Sequence, residues 1–122
     1  PVRRGASDRE AIRTATARLQ EGWATGVFLD GTRQPDGRVN QPLAGAALLS
    51  ARSGAPLLPV AIVNSHRALG TGRTWPRLVP IQLRIGDLVP PPTGRRRADL
   101  DATTAELQRR INALLDQAGP RP

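Results

Sequence analysis

The sequence contains no cysteine, no lysine and no methionine, and its only histidine is His66. Without cysteine the chain has no disulfide, no thiolate metal site and no cysteine nucleophile. A single histidine excludes a metal centre built from several histidines. The aromatic residues are also few, namely Trp23, Phe28 and Trp75. A surface that stacks single-stranded bases usually has more rings, so no nucleic-acid partner is expected.

Long apolar runs are missing as well. No stretch approaches the roughly 20 apolar residues that cross a bilayer, and no apolar segment follows the start of the chain as a signal peptide would require. The 122 residues are 39% hydrophobic and 23% charged, which is ordinary for one globular domain or the larger part of one.

The charge is strongly positive. Lysine and arginine together number 18 against 10 acidic residues, a formal net charge of +8, and every one of the 18 is arginine. Such an excess favours polyanionic partners, which include phosphate-bearing small molecules, anionic lipid headgroups and nucleic acid. A bias in base composition would explain the exclusive use of arginine, although not the net excess.

Apolar periodicity predicts three helices and three strands in the order helix, strand, helix, strand, strand, helix. The predicted helices span 8–21, 43–52 and 101–117, and the predicted strands span 24–29, 57–63 and 78–85. The strand over 57–63 is continuously apolar, which is typical of a strand buried on both faces. The polar stretches 30–42 and 64–77 read as loops.

Strands that alternate with helices indicate an α/β sandwich with a largely parallel sheet. The chain opens on a strand-like Pro-Val-Arg-Arg with no strand before it, so we expect an exposed sheet edge where earlier strands would pair. We therefore expect a fragment whose N-terminal part is missing.

The segment 27–33 carries the most chemical information. An apolar strand here leads into Asp30, Gly31, Thr32 and Arg33, and ligands of open α/β sheets bind at the carboxyl ends of strands. Gly31 would let the backbone approach a ligand, Thr32 can donate to an anion, and Arg33 can bind a phosphate with two hydrogen bonds. Asp30 can orient Arg33 or accept a hydroxyl. The alternative is a strand-ending turn with a solvated arginine.

The sequence FLDGTR resembles the Phe-Pro-Glu-Gly-Thr-Arg motif of the glycerolipid (lysophosphatidic acid) acyltransferases. The order and spacing of four further segments also resemble that family, from about residue 2 to residue 90. They are Arg4, Gly45-Ala46, Leu58-Pro59-Val60-Ala61-Ile62 and Ile85-Gly86-Asp87. The resemblance also accounts for a proline inside a buried strand. It implies a glycerol-3-phosphate acyltransferase-like α/β sandwich, with 1–90 the C-terminal part of the domain, 91–98 a Pro/Arg-rich connector and 99–122 a C-terminal helix and tail.

The same resemblance implies transfer of an acyl group from acyl-CoA or acyl carrier protein to 1-acylglycerol 3-phosphate. No other cofactor is implied. By the family's pattern, a histidine held by an aspartate in a His-x-x-x-x-Asp motif acts as general base, and the acceptor's glycerol phosphate is held by residues that correspond to Arg4, Asp30, Gly31, Thr32 and Arg33. The implied location is the cytoplasmic face of a membrane, either peripheral or anchored through an upstream segment.

Two departures from the family's pattern affect this interpretation. Asp30 replaces the usual glutamate and Leu29 the usual proline, which affects substrate preference. The His-x-x-x-x-Asp motif is absent, and Thr71 stands five residues after His66 where the motif requires aspartate. We therefore expect no catalytic residue in this chain, no turnover by the chain alone, and a solvent-facing loop position for His66.

Other features are less specific. Arg95, Arg96 and Arg97 would meet phosphates of anionic lipid or of CoA, or else form a solvated loop. The segment 43–49 and Trp75 would contact acyl chains or simply pack. The functional alternatives are a non-catalytic α/β module, or pseudoenzyme, that binds phosphate or anionic lipid, and a nucleic-acid binder driven by the arginine excess.

Overall fold

A computed structural model describes residues 6–31, 34–68, 75 and 78–117. The elements in chain order are α1 (Ala6–Gln20), α2 (Gly45–Ser53), β1 (Val60–Val63), α3 (Ser65–Ala68), β2 (Gln82–Ile85) and α4 (Arg97–Asp116). The three long helices confirm the predicted ones with shifted ends. At the end of α2, Gly54 adopts a left-handed φ of 76° and its N–H bonds the carbonyl of Ser50, so the glycine stops the helix. None of the helices in the described part of the chain is long and apolar enough to cross a membrane.

The two strands pair antiparallel, with Val60 opposite Ile85 and Ala61 opposite Arg84. They form the only sheet within the described residues, so a largely parallel sheet is not confirmed. The physical reason lies in the connection. A parallel pair needs a long crossover, usually a helix, and the described part of the 64–81 connection contains only the four-residue α3.

The predicted strand over 24–29 is wrong, since residues 23–28 have no regular structure. Among the described residues no strand lies alongside it, and an unpaired strand gains no ladder hydrogen bonds. Only its end is held: the N–H of Leu43 donates to the carbonyl of Leu29 at 2.8 Å, and Asp30 forms an isolated bridge with Pro42.

The predicted strand over 57–63 is shortened to β1. Pro59 has no N–H to donate, although its carbonyl accepts a hydrogen bond from Gly86 at 2.9 Å. Before it, Leu57 pairs separately with Val89 through two backbone hydrogen bonds. The predicted strand over 78–85 is likewise shortened to β2.

The helix α4 lies against one face of the sheet. Ala61 is 1% exposed on this face, and Arg84 reaches the end of α4. The opposite face carries Val60, Ile62, Leu83 and Ile85, which are 37% to 65% exposed. The prediction that the 57–63 strand is buried on both faces is therefore wrong, because α4 covers one side only in the described structure.

The core joins residues that are distant in sequence. Leu29, Ala46, Val89 and Leu107 form its buried apolar cluster. On the face of α4 that packs on the core, Leu107 and Leu114 are buried and Ile111 and Leu115 are half-buried. The core thus fixes the base of the 30–42 segment, because Leu29 immediately precedes it.

Candidate functional site

The polar segment 30–42 is closed at its base by Asp30. Its carboxylate accepts the backbone N–H of Asn40 on Oδ2 at 3.2 Å and the backbone N–H of Gln41 on Oδ1 at 3.1 Å. Both carboxylate oxygens thus organise the loop, which is a role that glycine or an apolar residue could not perform. Asp30 is half-buried, so part of its carboxylate also faces the space beside the loop.

Asp36 and Asn40 hold the middle of this loop together. The side-chain amide of Asn40 donates to Asp36 at 3.0 Å and to Gln34 at 3.2 Å, while the backbone N–H of Arg38 donates to Asp36 at 3.0 Å. These hydrogen bonds keep the pKa of Asp36 below its usual range, and the one from the backbone N–H of Arg38 has the largest effect. These hydrogen bonds therefore hold residues 34–40 of the loop in one conformation.

Three residues of α4 tie the loop to the core. The Asn112 side chain accepts the backbone N–H of Val39 at 2.9 Å and donates to the Val39 carbonyl at 3.0 Å. The side-chain amide of Gln108 also donates to the Val39 carbonyl, at 3.0 Å. The guanidinium of Arg38 donates to both carboxylate oxygens of Asp116. This contact lowers the pKa of Asp116 and raises the pKa of Arg38.

The segment after β1 brings His66 against the same loop. Asn64 adopts a left-handed φ of 69°, which is uncommon for a residue other than glycine. Its side chain donates to the carbonyl of Pro80 at 3.1 Å. The chain turns here into α3, and the imidazole of His66 packs over Gly37, where a Cβ would overlap the ring atoms. Gly37 itself has a φ of 71°.

These segments enclose a cavity of about 660 Å³, called the loop cavity below. Its lining includes the apolar residues Phe28, Ile62 and Leu115 and the polar residues Asp30, Gln34 and His66. A largely apolar cavity with a few polar groups is typical of a small-molecule site. Such a mixed lining suits a ligand with a polar head and an apolar tail.

A second concavity of about 580 Å³ lies between β2 and α4 and is lined by Arg84, Arg109 and Arg110. The guanidinium groups of these three arginines already donate hydrogen bonds to other groups of the protein. Arg109 and Arg110 both donate to Glu106, which holds the pKa of that carboxyl below its usual range. We therefore regard the loop cavity as the candidate site.

The predicted site residues are only partly within the described structure. Asp30 and Gly31 line the loop cavity, whereas Arg4, Thr32 and Arg33 lie outside the described residues. A Cβ on Gly31 would come within 2.8 Å of the Leu43 side chain, so the absence of a side chain at this position allows close packing on Leu43. In the part of the chain that the structure describes, no group of His, Cys, Asp and Glu side chains could hold a metal ion.

The predicted solvent-facing loop position of His66 is wrong. The residue lies on α3, half-buried, and lines the loop cavity together with Asp30. No local pattern in the sequence marks this position, because the loop residue that His66 contacts, Gly37, lies 29 positions earlier.

Comparison with known proteins gives one informative similarity. No family model and no curated protein sequence matches the chain. The crystal structure of the 1-acyl-sn-glycerophosphate (LPA) acyltransferase PlsC from Thermotoga maritima aligns with a TM-score of 0.72 and 27% sequence identity. The alignment covers 89% of this chain and 46% of that chain, so the chain spans about half the length of this neighbour. The chain therefore has the α/β fold of part of an acyltransferase.

Proposed function

We propose that this chain is the C-terminal part of an acyltransferase that passes an acyl group from acyl-CoA or acyl carrier protein to 1-acylglycerol 3-phosphate. The observation that carries the proposal is an amphipathic cavity bordered by Asp30 and Gly31, within a fold that is similar to an LPA acyltransferase. The acyl donor is a co-substrate, and no other cofactor is proposed.

The lining of the loop cavity fits the two parts of the proposed acceptor. A 1-acylglycerol 3-phosphate has a head with one free hydroxyl and a phosphate, and a single acyl tail. Among the lining residues, Asp30 offers a carboxylate acceptor for the head, and Phe28, Ile62 and Leu115 offer apolar surface for the tail.

The catalytic step needs a general base for the acceptor hydroxyl. We propose that a histidine and an aspartate upstream of residue 1 provide it, and that the 122-residue chain alone has no turnover. The arginine-rich surface would then hold the enzyme at the anionic, cytoplasmic face of a membrane, where the acceptor is found.

The direct test is an acyl-transfer assay on two proteins, the 122-residue chain and the complete polypeptide that its gene encodes. We expect phosphatidic acid to form from 1-acylglycerol 3-phosphate and acyl-CoA or acyl carrier protein with the complete polypeptide only. Equal turnover by the 122-residue chain would contradict the placement of the base. Binding of the acceptor without turnover by the complete polypeptide would favour a non-catalytic lipid-binding module.

The acceptor contact is tested by substituting Arg33 in the complete polypeptide. Charge-assisted hydrogen bonds to phosphate contribute about 1.5–3 kcal/mol. Arg33→Ala should therefore lower kcat/KM for 1-acylglycerol 3-phosphate by roughly tenfold to several hundredfold, and Arg33→Lys should recover only part of the loss. Arg52→Ala, an exposed arginine in the last turn of α2, is the matched control. Wild-type kinetics in a folded Arg33→Ala enzyme would contradict the contact.

A further inference from the structure

His66 is the only histidine of the chain, and it is one of the residues that line the loop cavity. The side chain is half-buried, and within the described residues its ring nitrogens take part in no hydrogen bond. An imidazole at this position can still donate an N–H into the cavity.

Two unusual backbone conformations place this ring. Asn64, with a φ of 69°, turns the chain into α3. Gly37, with a φ of 71°, leaves the space that the imidazole fills. Left-handed conformations of residues other than glycine are unfavourable and occur preferentially at ligand-binding and catalytic sites. The position of His66 is therefore set from both sides, by its own segment and by the loop it touches.

The charged residues that line the loop cavity, Asp30 and Arg38, do not by themselves provide a free donor for a phosphate. Asp30 presents a carboxylate there, which repels a phosphate unless cations or N–H donors stand nearby. Arg38 also lines the cavity, but its guanidinium donates to both oxygens of Asp116. A histidine side chain donates an N–H whether it is neutral or charged.

We propose that His66 is a ligand-binding residue that donates an N–H to the phosphate of a glycerol phosphate head held in the loop cavity. On this assignment Asp30 remains available to accept the free hydroxyl of the same head. The proposal rests on the proposed function for the class of ligand, and it extends that function to a residue three positions beyond β1. It concerns binding and assigns His66 no part in the proton transfer.

A chain with one histidine allows a direct test. The Hδ2 and Hε1 resonances of the imidazole belong to His66 alone, so NMR of the 122-residue chain follows this ring without any substitution. The probes are inorganic phosphate, glycerol 3-phosphate and a short-chain 1-acylglycerol 3-phosphate kept below its micelle concentration, each titrated at constant pH. We expect saturable shifts of both resonances, with affinity rising from inorganic phosphate to the acylated probe.

Two neighbouring substitutions on α3 provide the matched comparison. His66→Phe keeps a flat ring but removes both ring nitrogens, whereas Arg67→Gln changes an exposed residue that does not line the cavity. Loss of a hydrogen bond to a charged group corresponds to about tenfold weaker binding of glycerol 3-phosphate to the His66→Phe variant. Binding to the Arg67→Gln variant should stay within about twofold of wild type, since a surface contact outside the site contributes little. Circular dichroism confirms that both variants are folded.

The outcomes separate this inference from the proposed function. Unmoved His66 resonances, or equal affinity of the wild type and the folded His66→Phe variant, would overturn the inference, whereas the proposed acyl transfer is tested separately by the turnover assay. Equal affinity for inorganic phosphate and for both glycerol phosphates would overturn the assignment to a glycerol phosphate head. Saturable shifts together with a failed acyl-transfer assay would support the inference and reject the proposed enzyme.

Discussion

Arg38 and Asp116 form an ion pair through two hydrogen bonds, Nη1 to Oδ1 at 2.5 Å and Nη2 to Oδ2 at 3.1 Å, although 78 positions separate them. The pair joins the loop that borders the candidate cavity to the last residue of α4. It lies beside the hydrogen bonds between Val39 and Asn112. Together these contacts make the end of α4 a support for the site.

This ion pair predicts a specific response to acid. The pKa of Asp116 is lowered in the folded chain by Arg38, so the stabilisation is complete above the unfolded pKa of about 4 and is lost as the pH falls through the folded pKa. Asp116→Asn should therefore lower the free energy of unfolding at pH 7, and the difference from wild type should shrink towards pH 3. Urea unfolding at both pH values measures it. Asp101→Asn in the same helix, where Arg97 is 3.8 Å away, should show a smaller difference at pH 7.

Asp30 predicts a second effect on stability. Asp30→Ala removes the acceptor for two backbone N–H groups of the loop, which should lower the free energy of unfolding by about 1–2 kcal/mol. Asp30→Asn keeps one acceptor oxygen and should lose less. Urea unfolding compares these variants with Asp87→Ala, an exposed aspartate after β2. Equal effects at positions 30 and 87 would contradict the organising role of Asp30.

Gly37 and Gly45 should respond to alanine in opposite directions. At Gly37 the left-handed backbone alone costs alanine about 1–2 kcal/mol, and the new Cβ would displace His66. Gly45 begins α2, and a Cβ added there would have no atom within 4 Å, so alanine at this position should stabilise by about 0.5 kcal/mol. Thermal unfolding measures both changes, and only Gly37→Ala should shift the His66 NMR resonances. A neutral Gly37→Ala variant would refute the packing of His66 on Gly37.

Arg84 caps the end of α4. Its Nη1 donates to the carbonyls of Leu114 at 2.7 Å and Gln117 at 2.8 Å, groups that have no partner within the helix. Arg84→Ala should lower the free energy of unfolding by about 1–3 kcal/mol, and Arg84→Lys should lose less because an ammonium can still reach one carbonyl. Hydrogen exchange of the last turn of α4 should accelerate in Arg84→Ala. Unchanged exchange there would argue against the cap.

Arg95, Arg96 and Arg97 are exposed at the start of α4 and predict electrostatic membrane binding. Each basic residue near an anionic leaflet contributes about 1 kcal/mol, screened over a Debye length of roughly 10 Å at 0.1 M salt. In vesicle co-sedimentation, wild type should bind anionic vesicles more strongly than the triple alanine variant at low salt, and the two should converge at high salt. Identical binding to neutral and anionic vesicles would be incompatible with this mechanism.

The candidate site was only partly predictable from sequence. Asp30 and Gly31 are identifiable because they follow an apolar run, where a carboxylate can accept a ligand's hydroxyl and a glycine lets the backbone approach a ligand. The partners of Asp30 were not identified, since Asn40 and Gln41 meet it only after the loop folds back. His66 was missed for the same reason: its nearest loop contact, Gly37, lies 29 positions earlier, and nothing in the local sequence marks that approach.

By itself the sequence determined the three long helices, because helix hydrogen bonds join residues four positions apart and the apolar spacing needs no distant partner. It also determined that the described part of 30–42 is a loop, and its motifs already resembled those of glycerolipid acyltransferases. Only the tertiary structure decided the antiparallel direction of β1 and β2, the exposure of one sheet face and the placement of His66 beside Asp30. Each of these depends on segments that are remote in sequence, and sheet pairing and cavity lining are set by which of those segments pack together.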